Sequence, residues 1–201
     1  MAKLYFFIIC LLLSGLSLAQ DSKLLYQVDG DIILGKQSAP ITIIDYSSFS
    51  CPSCAAFHNK VLPYLEEKYI DTGKVKLIFR GYPIRAIDLK AGAIPSCAPT
   101  ERFYAFVKVL FKTQRNWASE SSNPIETLEH LSRLGGLSGE EVQKCFNDKE
   151  LEDKIISLRQ LAQTELNINS TPTFIINGKI YEGAFERKKL FAILDTELNS
   201  L

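Results

Sequence analysis

Residues 41–58 read ITIIDYSSFSCPSCAAFH, an apolar run that passes through a polar stretch into a Cys-Pro-Ser-Cys motif. The run from Ile41 to Tyr46 is rich in β-branched residues and follows a proline, a pattern that predicts a short buried strand. Good helix formers come directly after Cys51 and Cys54, and the proline between them suits the first turn of a helix. The stretch therefore predicts a strand, a short loop and a helix that begins at the paired cysteines.

The segments around this stretch complete a β-α-β unit. A first strand is predicted from Asp31 to Leu34. The helix is expected to run from about Pro52 to Tyr69, with a kink at Pro63 because proline has no N–H for the helix interior. The segment KVKLIFR (74–80) alternates apolar and charged residues, as a half-buried strand does.

The middle of the chain, about Leu89 to Leu166, has a helical pattern. Helix starts capped by a side chain are predicted at Asn123 and at Ser138 with Glu141, and a last long helix at about 151–166. Apolar residues at helical spacing form one stripe that we interpret as core. They are Phe103, Phe106, Val107, Leu110 and Phe111.

The C-terminal part returns to strands. TPTFIINGKIYEGAF (171–185) holds two apolar runs joined at Asn177-Gly178, a strong hairpin signal, and Arg187 to Leu198 reads as an amphipathic helix. A β-α-β half and a β-β-α half thus flank a helical insertion, which predicts an α/β fold.

The two cysteines of the motif are candidates for redox chemistry. A cysteine at a helix N-terminus is more readily a thiolate, because unpaired N–H groups and the helix dipole stabilise negative charge. Cys51 is expected at that position and exposed, with Cys54 one turn inside and sheltered. In this interpretation Cys51 forms a mixed disulfide and Cys54 resolves it.

Other uses of the pair stay open at this point. An inert cystine is one, and a zinc site with Cys51, Cys54 and His58 as ligands is another, although no second CxxC motif is present. We expect no bound metal and no cofactor. Thr171-Pro172 stands where a strand begins after a helix, but the frequency of cis X-Pro bonds is too low for the sequence to establish a cis bond there.

Taken together, ITIIDYSSFSCPSCAAFH, LPYLEEKYIDTGKVKLIFRGYP and NSTPTFIING resemble the DsbA family, especially its alphaproteobacterial branch. The family consists of thiol:disulfide oxidoreductases with a thioredoxin fold and an inserted helical subdomain. The resemblance implies that Cys51 is the nucleophile and Cys54 its partner, with Pro52 and Ser53 between them. It also implies that Thr171 and Pro172 form a cis-proline loop beside the disulfide.

Asp45, six residues before Cys51, matches a buried acid of the family, thought to move protons at the second cysteine. The alternative is a solvated carboxylate at a strand end. Strongly oxidising relatives carry histidine where this chain has Ser53. Histidine adds positive charge near the thiolate and stabilises the reduced form. Serine therefore predicts a protein that is less oxidising than the histidine-bearing relatives, with a higher pKa at Cys51 than theirs.

Cys97 and Cys145 lie together in the helical insertion. We predict a structural disulfide between them, and two buried thiols are the alternative. In the chain-entropy model such a loop contributes roughly 4 kcal/mol as an upper figure.

Residues 1–19 have the three parts of a secretory signal: Lys3, an apolar run that contains Cys10, and small residues before a cut after Ala19. An uncleaved anchor is the alternative. Without the signal, the chain has 22 basic and 23 acidic residues, so its net charge is close to zero. This balance gives no reason to expect nucleic acid as a partner. The expected layout is thioredoxin fold in 20–88 and 167–201, with the helical insertion in 89–166.

The sequence therefore predicts a periplasmic, monomeric oxidoreductase that introduces disulfides into exported, cysteine-containing proteins. A DsbB-type membrane oxidase is the expected partner for reoxidation. A disulfide isomerase or reductase is one alternative, and a peptide-binding chaperone without chemistry is another.

Overall fold

The computed structural model describes residues 22–119 and 123–200. In this part of the chain a five-stranded sheet has the order β1-β3-β2-β4-β5. Strands β2 and β3 are parallel, and the other neighbouring pairs are antiparallel. The strands are β1 (Ile33–Leu34), β2 (Ile41–Ser47), β3 (Val75–Gly81), β4 (Thr173–Ile176) and β5 (Lys179–Glu182).

Helices cover both faces of the sheet. Between β2 and β3 lie α1 (Pro52–Lys60) and α2 (Leu62–Leu65). Between β3 and β4 the inserted subdomain contains α3 (Ile87–Cys97), α4 (Phe103–Lys112), α5 (Gln114–Trp117), α6 (Pro124–Leu134), α7 (Gly139–Phe146) and α8 (Lys149–Leu166), and α9 (Arg187–Asn199) follows β5. Short 3-10 turns span Lys23–Leu25 and Thr100–Arg102. The predicted thioredoxin fold with a helical insertion is confirmed.

Successive side chains of β2 point to opposite faces of the sheet, and this alternation determines which of them face α1. Ile41 and Ile43 join the larger core, which includes residues of α1, α2, α4 and α9. Ile44 and Tyr46 point to the opposite face and pack in a second cluster with residues of α8. Asp45 shares the face of Ile41 and Ile43, so the alternation places its carboxylate beneath α1.

The predicted helix from 52 to 69 is divided in the structure. Helix α1 ends at Lys60, Val61 interrupts it, and a π-helical turn (Glu66–Ile70) follows α2. The break comes two residues before Pro63, because that proline has no N–H to continue the hydrogen-bond ladder of α1. The first strand is also shorter than predicted, as only Ile33 and Leu34 pair with β3.

The predicted helix caps have different outcomes. Ser138 and Glu141 form a capping box at α7, as expected. Asn123 makes no side-chain cap on α6, and its amide donates instead to Glu126 at 2.8 Å. The hairpin prediction is confirmed: Asn177 and Gly178 both have positive φ, at 46° and 83°, as a type I′ turn between β4 and β5 requires.

The predicted signal peptide, residues 1–19, lies outside the described residues. Among the helices that are described, none has both the length and the apolar character needed to cross a bilayer.

Candidate active site

The junction of β2 and α1 presents the two cysteines of the motif. Cys51 is the N-cap of α1 in extended conformation, and Pro52 occupies the first turn. Pro52 and Ser53 are exposed, whereas Cys54 lies one turn inside the helix and is completely buried. Both cysteines are free thiols, so the structure represents the reduced form.

The loop before β4 lies against this junction. The antiparallel pairing of Tyr46 with Thr173 brings the start of β4 to the end of β2. The bond between Thr171 and Pro172 is cis, and the Thr171 carbonyl lies 3.4 Å from the Cys51 sulfur. Residues 120 positions apart in sequence thus meet at the candidate nucleophile.

Cys51 is less exposed than the sequence suggests. Only 7% of its surface is accessible, against none for Cys54. The expectation of an exposed first cysteine is wrong, because the Thr171 loop covers one side of the sulfur and the aromatic core lies below it. The difference between the two cysteines is therefore mainly electrostatic.

The surroundings of Cys51 favour its thiolate. A hydrogen bond from the Cys54 thiol makes the largest contribution and lowers the pKa of Cys51 to about 5, against the opposing effect of burial. The Thr171 side chain and the backbone N–H groups of Ser53 and Cys54 act in the same direction. The sulfur therefore uses the unpaired N–H groups of a helix N-terminus, as the sequence predicts for that position.

The opposite holds for Cys54. Burial raises its pKa well above the ordinary thiol range, helped by the hydrogen bond to Cys51 and by the nearby Asp45 carboxylate. Ser47 opposes the shift through a hydrogen bond. At neutral pH the pair consists of an anionic Cys51 and a protonated Cys54, the arrangement in which one sulfur is a good leaving group and the other holds its proton.

Asp45 is completely buried, so the reading of a solvated carboxylate at a strand end is wrong. The Ser47 hydroxyl donates to Oδ1 at 2.5 Å, and His58 Nε2 lies 2.8 Å from Oδ2. His58 is thereby engaged by Asp45, which leaves Cys51 and Cys54 without it as a third metal ligand. In residues 22–119 and 123–200, no group of three or more His, Cys, Asp or Glu side chains is arranged to hold a metal ion.

Two side chains that the sequence analysis missed hold the loop before Cys51. Asp88, at the start of α3, accepts five hydrogen bonds at 2.7–3.0 Å. The donors are the hydroxyls of Ser48 and Ser50 and the backbone N–H groups of Ser50, Ile84 and Arg85. The serine-rich segment SSFS was a signal for such a carboxylate, but no pattern indicates which acid supplies it.

Gln114 of α5 holds the same loop from its carbonyl side. Its amide donates to the carbonyls of Phe49 at 2.7 Å and of Cys51 at 2.9 Å. Because the Cys51 carbonyl also accepts from Ala55 in the first turn of α1, this contact fixes the start of the helix that stabilises the thiolate. The insertion thus supplies both restraints on the loop.

Cys97 and Cys145 are joined by a disulfide with their Cα atoms 6.1 Å apart. The bridge connects the end of α3 to α7, within the insertion. Trp117 is fully buried and donates to the Leu110 carbonyl, in keeping with a packed aromatic side chain.

Comparisons with known proteins agree with this geometry. A family model described as thioredoxin matches residues 27–196. The crystal structure of alpha-DsbA1 from Wolbachia pipientis is similar with a TM-score of 0.83 and 32% identity, over 89% of this chain and 96% of that one. This chain belongs to the DsbA family. The predicted family membership is therefore confirmed.

Similar proteins of known name are also described as disulfide-forming proteins. A putative protein-disulfide oxidoreductase of Rickettsia bellii is 31% identical over 158 residues, 78% of this chain. A probable disulfide bond formation protein D of Bacillus anthracis is 29% identical over 82% of this chain and 77% of its own. The chain spans only 61% of the length of the Rickettsia bellii protein.

Proposed function

We propose that this protein is a periplasmic thiol:disulfide oxidoreductase that donates the Cys51–Cys54 disulfide to exported proteins with reduced cysteines. The observation that carries the proposal is the contrast between the two sulfurs. Cys51 lies at the N-terminus of α1 with its pKa lowered to about 5 and is stabilised as a thiolate, whereas Cys54 is completely buried one turn inside the helix. A stable thiolate favours the reduced form of the pair, and a pair that favours reduction is an oxidant towards its clients.

The reaction follows from the same contrast. A client thiolate attacks the Cys51 sulfur, the bond between Cys51 and Cys54 breaks, and Cys54 takes a proton. A second client thiolate then attacks the client sulfur of the mixed disulfide, and Cys51 leaves as a thiolate. The client loses two electrons and gains a disulfide, and the protein ends in the dithiol form.

The remaining roles belong to the same proposal. Thr171 and Pro172 border the site where the client backbone approaches, and residues 1–19 direct export. The thioredoxin parts are about 20–88 and 167–201, with about 89–166 as the insertion, a boundary that falls within the first turn of α3. Reoxidation falls to a DsbB-type membrane protein, and the oxidoreductase acts as a monomer.

The equilibrium reduction potential against glutathione, measured together with oxidation of a reduced unfolded client, tests the function. A potential near that of strong oxidants, about −120 mV, with client oxidation supports disulfide donation but contradicts the less oxidising protein predicted from Ser53. A potential below about −200 mV favours a reductase or isomerase. Full client protection by Cys51→Ser would show a chaperone without chemistry.

Replacing Ser53 with histidine is expected to make the protein more oxidising. Ser53 is exposed beside the Cys51 thiolate, so a cationic side chain there stabilises the reduced form. We expect a rise of roughly 30 mV, which corresponds to about 1.4 kcal/mol for a two-electron couple. Ser53→Gln adds similar bulk without charge and is the matched control in the glutathione titration. An unchanged or lower potential in Ser53→His would contradict the charge argument.

A further inference from the structure

An arginine on α8 occupies a position where that helix packs against the sheet. Arg159 lies one turn before Ala162 and two turns before Leu166, which are both buried in the second core cluster. Residues three, four and seven positions apart share one face of a helix, so Arg159 lies on the inner face of α8. A charged group in such surroundings is costly unless it is paired and hydrogen-bonded. An arginine at this position is therefore expected to have an acceptor.

Arg159 has no such acceptor within residues 22–119 and 123–200. Its guanidinium carbon lies 5.2 Å from the centre of the Tyr82 ring, in cation–π contact. Nε is buried without a hydrogen-bond partner there, and no carboxylate of these residues forms an ion pair with the side chain. The residue as a whole is only half-buried, so the terminal nitrogens are the part that solvent reaches. The donors of this guanidinium are thus left for an acceptor from outside the chain.

Arg80 shows how the same fold accommodates a buried arginine in a structural role. Asp31 accepts from its Nε at 3.1 Å and from a terminal nitrogen at 2.7 Å, in a bidentate contact. The carbonyls of Leu24 and Tyr26 and the hydroxyl of Tyr46 accept from the remaining N–H groups at 2.7–2.8 Å. The guanidinium on α8 has no comparable set of acceptors, so a structural role of this kind does not explain it.

Tyr82 places Arg159 beside the candidate active site. The Tyr82 N–H donates to the Ser47 carbonyl at 2.8 Å, at the end of the strand that leads to the cysteine motif. The Tyr82 hydroxyl donates to the Ile168 carbonyl at 2.7 Å, just before the cis-proline loop. The ring is therefore held between the end of β2 and the loop along which the client backbone approaches, and the guanidinium lies over that ring.

A carboxylate is the ligand that fits this guanidinium. Arginine has its N–H donors in a planar fork that matches the two oxygens of a carboxylate, and stacking on an aromatic ring restricts the orientation of that fork. The helix itself supplies no carboxylate, because residues 155, 156, 162 and 163, three and four positions away, are not acidic. On a polypeptide client the side chains that provide this group are Asp and Glu.

We propose that Arg159 is a specificity-determining residue, which binds an Asp or Glu side chain of the client close to the client's reacting cysteine. The inference rests on the proposed function and narrows its client class to cysteines with an acidic neighbour. The contact forms when the client lies along the Thr171 loop and persists while its thiolate attacks the Cys51 sulfur and displaces Cys54. Because the contact is the same before and during the attack, it strengthens client binding and leaves the exchange between sulfurs unchanged.

The test measures how fast single-cysteine peptides open the disulfide of the oxidised protein at pH 7. Each peptide has Glu or Gln at one position, from four residues before the cysteine to four after it. Each rate is divided by the rate of the same peptide with a small aromatic disulfide, which corrects for effects of the charge on the peptide thiol. We expect Glu to exceed Gln about tenfold at one or two adjacent positions, the lower end of the effect of a hydrogen bond between charged groups. The preference should appear in the peptide concentration that gives half the limiting rate and not in the limiting rate itself.

Three variants test whether Arg159 causes the preference. Arg159→Gln should reduce it to less than about twofold, and Arg159→Lys, which keeps the charge without the fork, should retain part of it. Arg133→Gln removes the same charge from an exposed position on α6 and should keep the full preference. A Glu preference of equal size in the wild type and Arg159→Gln, or no preference at any position in the wild type, would overturn the proposal.

Melting temperatures separate the binding role from a structural one. Arg159→Met keeps an apolar stem over Tyr82 and removes the unpaired donors, so its melting temperature should equal or exceed that of the wild type. A melting temperature several degrees lower would show that Arg159 serves folding and would overturn the proposal. A wild type that every peptide opens at similar corrected rates refutes the specificity role alone, and a wild type that no peptide opens refutes the proposed function as well.

Discussion

Replacing Cys54 with serine is expected to convert the protein into a trap that accumulates as mixed disulfides with its clients. Cys51 keeps its position at the N-terminus of α1, with the N–H groups of Ser53 and Cys54 still available to its thiolate. The variant has no second sulfur to form or release the disulfide. Client oxidation should be lost, because without Cys54 the protein has no disulfide to donate.

Non-reducing electrophoresis after mixing with an activated client disulfide shows the adducts directly. Cys51→Ser should form none, because the buried sulfur of Cys54 is out of reach of a client. The double variant Cys97→Ala and Cys145→Ala should still form adducts in the Cys54→Ser background, since the insertion bridge takes no part in the exchange. Adducts that persist without Cys51 would refute the assignment of the nucleophile.

The reduced protein should gain stability over the oxidised protein as the pH rises from 4.5 to 8. Cys51 has a folded-state pKa of about 5, below the ordinary thiol value of 9.0. A lowered folded pKa contributes stability that is complete above the unfolded pKa and is lost as the pH falls through 5. The oxidised protein has no Cys51 thiol, so only the reduced form has this contribution.

Thermal unfolding of both forms at each pH measures the difference. We expect the melting temperature of the reduced form to rise relative to the oxidised form by about 3 °C or more, since 1 kcal/mol moves it by about 2–4 °C at this size and solvent screening reduces the full shift. Reduced Cys51→Ser lacks the titrating thiol and should show no such trend. A difference that stays constant from pH 4.5 to 8 would show that Cys51 is not a stabilised thiolate.

Local patterns predict the elements of the fold well. Three elements depend only on residues that are close in sequence, and the structure has each of them as expected. They are the strand before Cys51, the turn at Asn177-Gly178 and the capping box of Ser138 and Glu141. Errors appear where two tendencies compete. A kink was expected at Pro63 and the break falls at Val61, because the loss of a donor acts on the turn before the proline.

The site is only partly visible in the sequence. Adjacent residues reveal Cys51 and Cys54, but their exposure depends on a loop 120 positions away. The contacts of Asp88 and Gln114 with the loop before Cys51 join positions 38–65 apart, a range over which no periodicity operates. The hydrogen bond between Asp45 and His58 could not be predicted for the same reason, because it depends on the packing of α1 against β2.

The hydrogen bonds from Asp88 and Gln114 to the loop before Cys51 make the redox motif difficult to graft onto another protein. A graft of residues 41–60 onto a bare thioredoxin scaffold would omit Asp88 and Gln114. The Ser50 N–H and the carbonyls of Phe49 and Cys51 would then each lose a hydrogen bond. The reactivity of Cys51 therefore depends on the motif together with helices α3 and α5, which lie far from it in sequence. Changes in α3 or α5 should be read as changes to the active site, even though neither helix carries a catalytic sulfur.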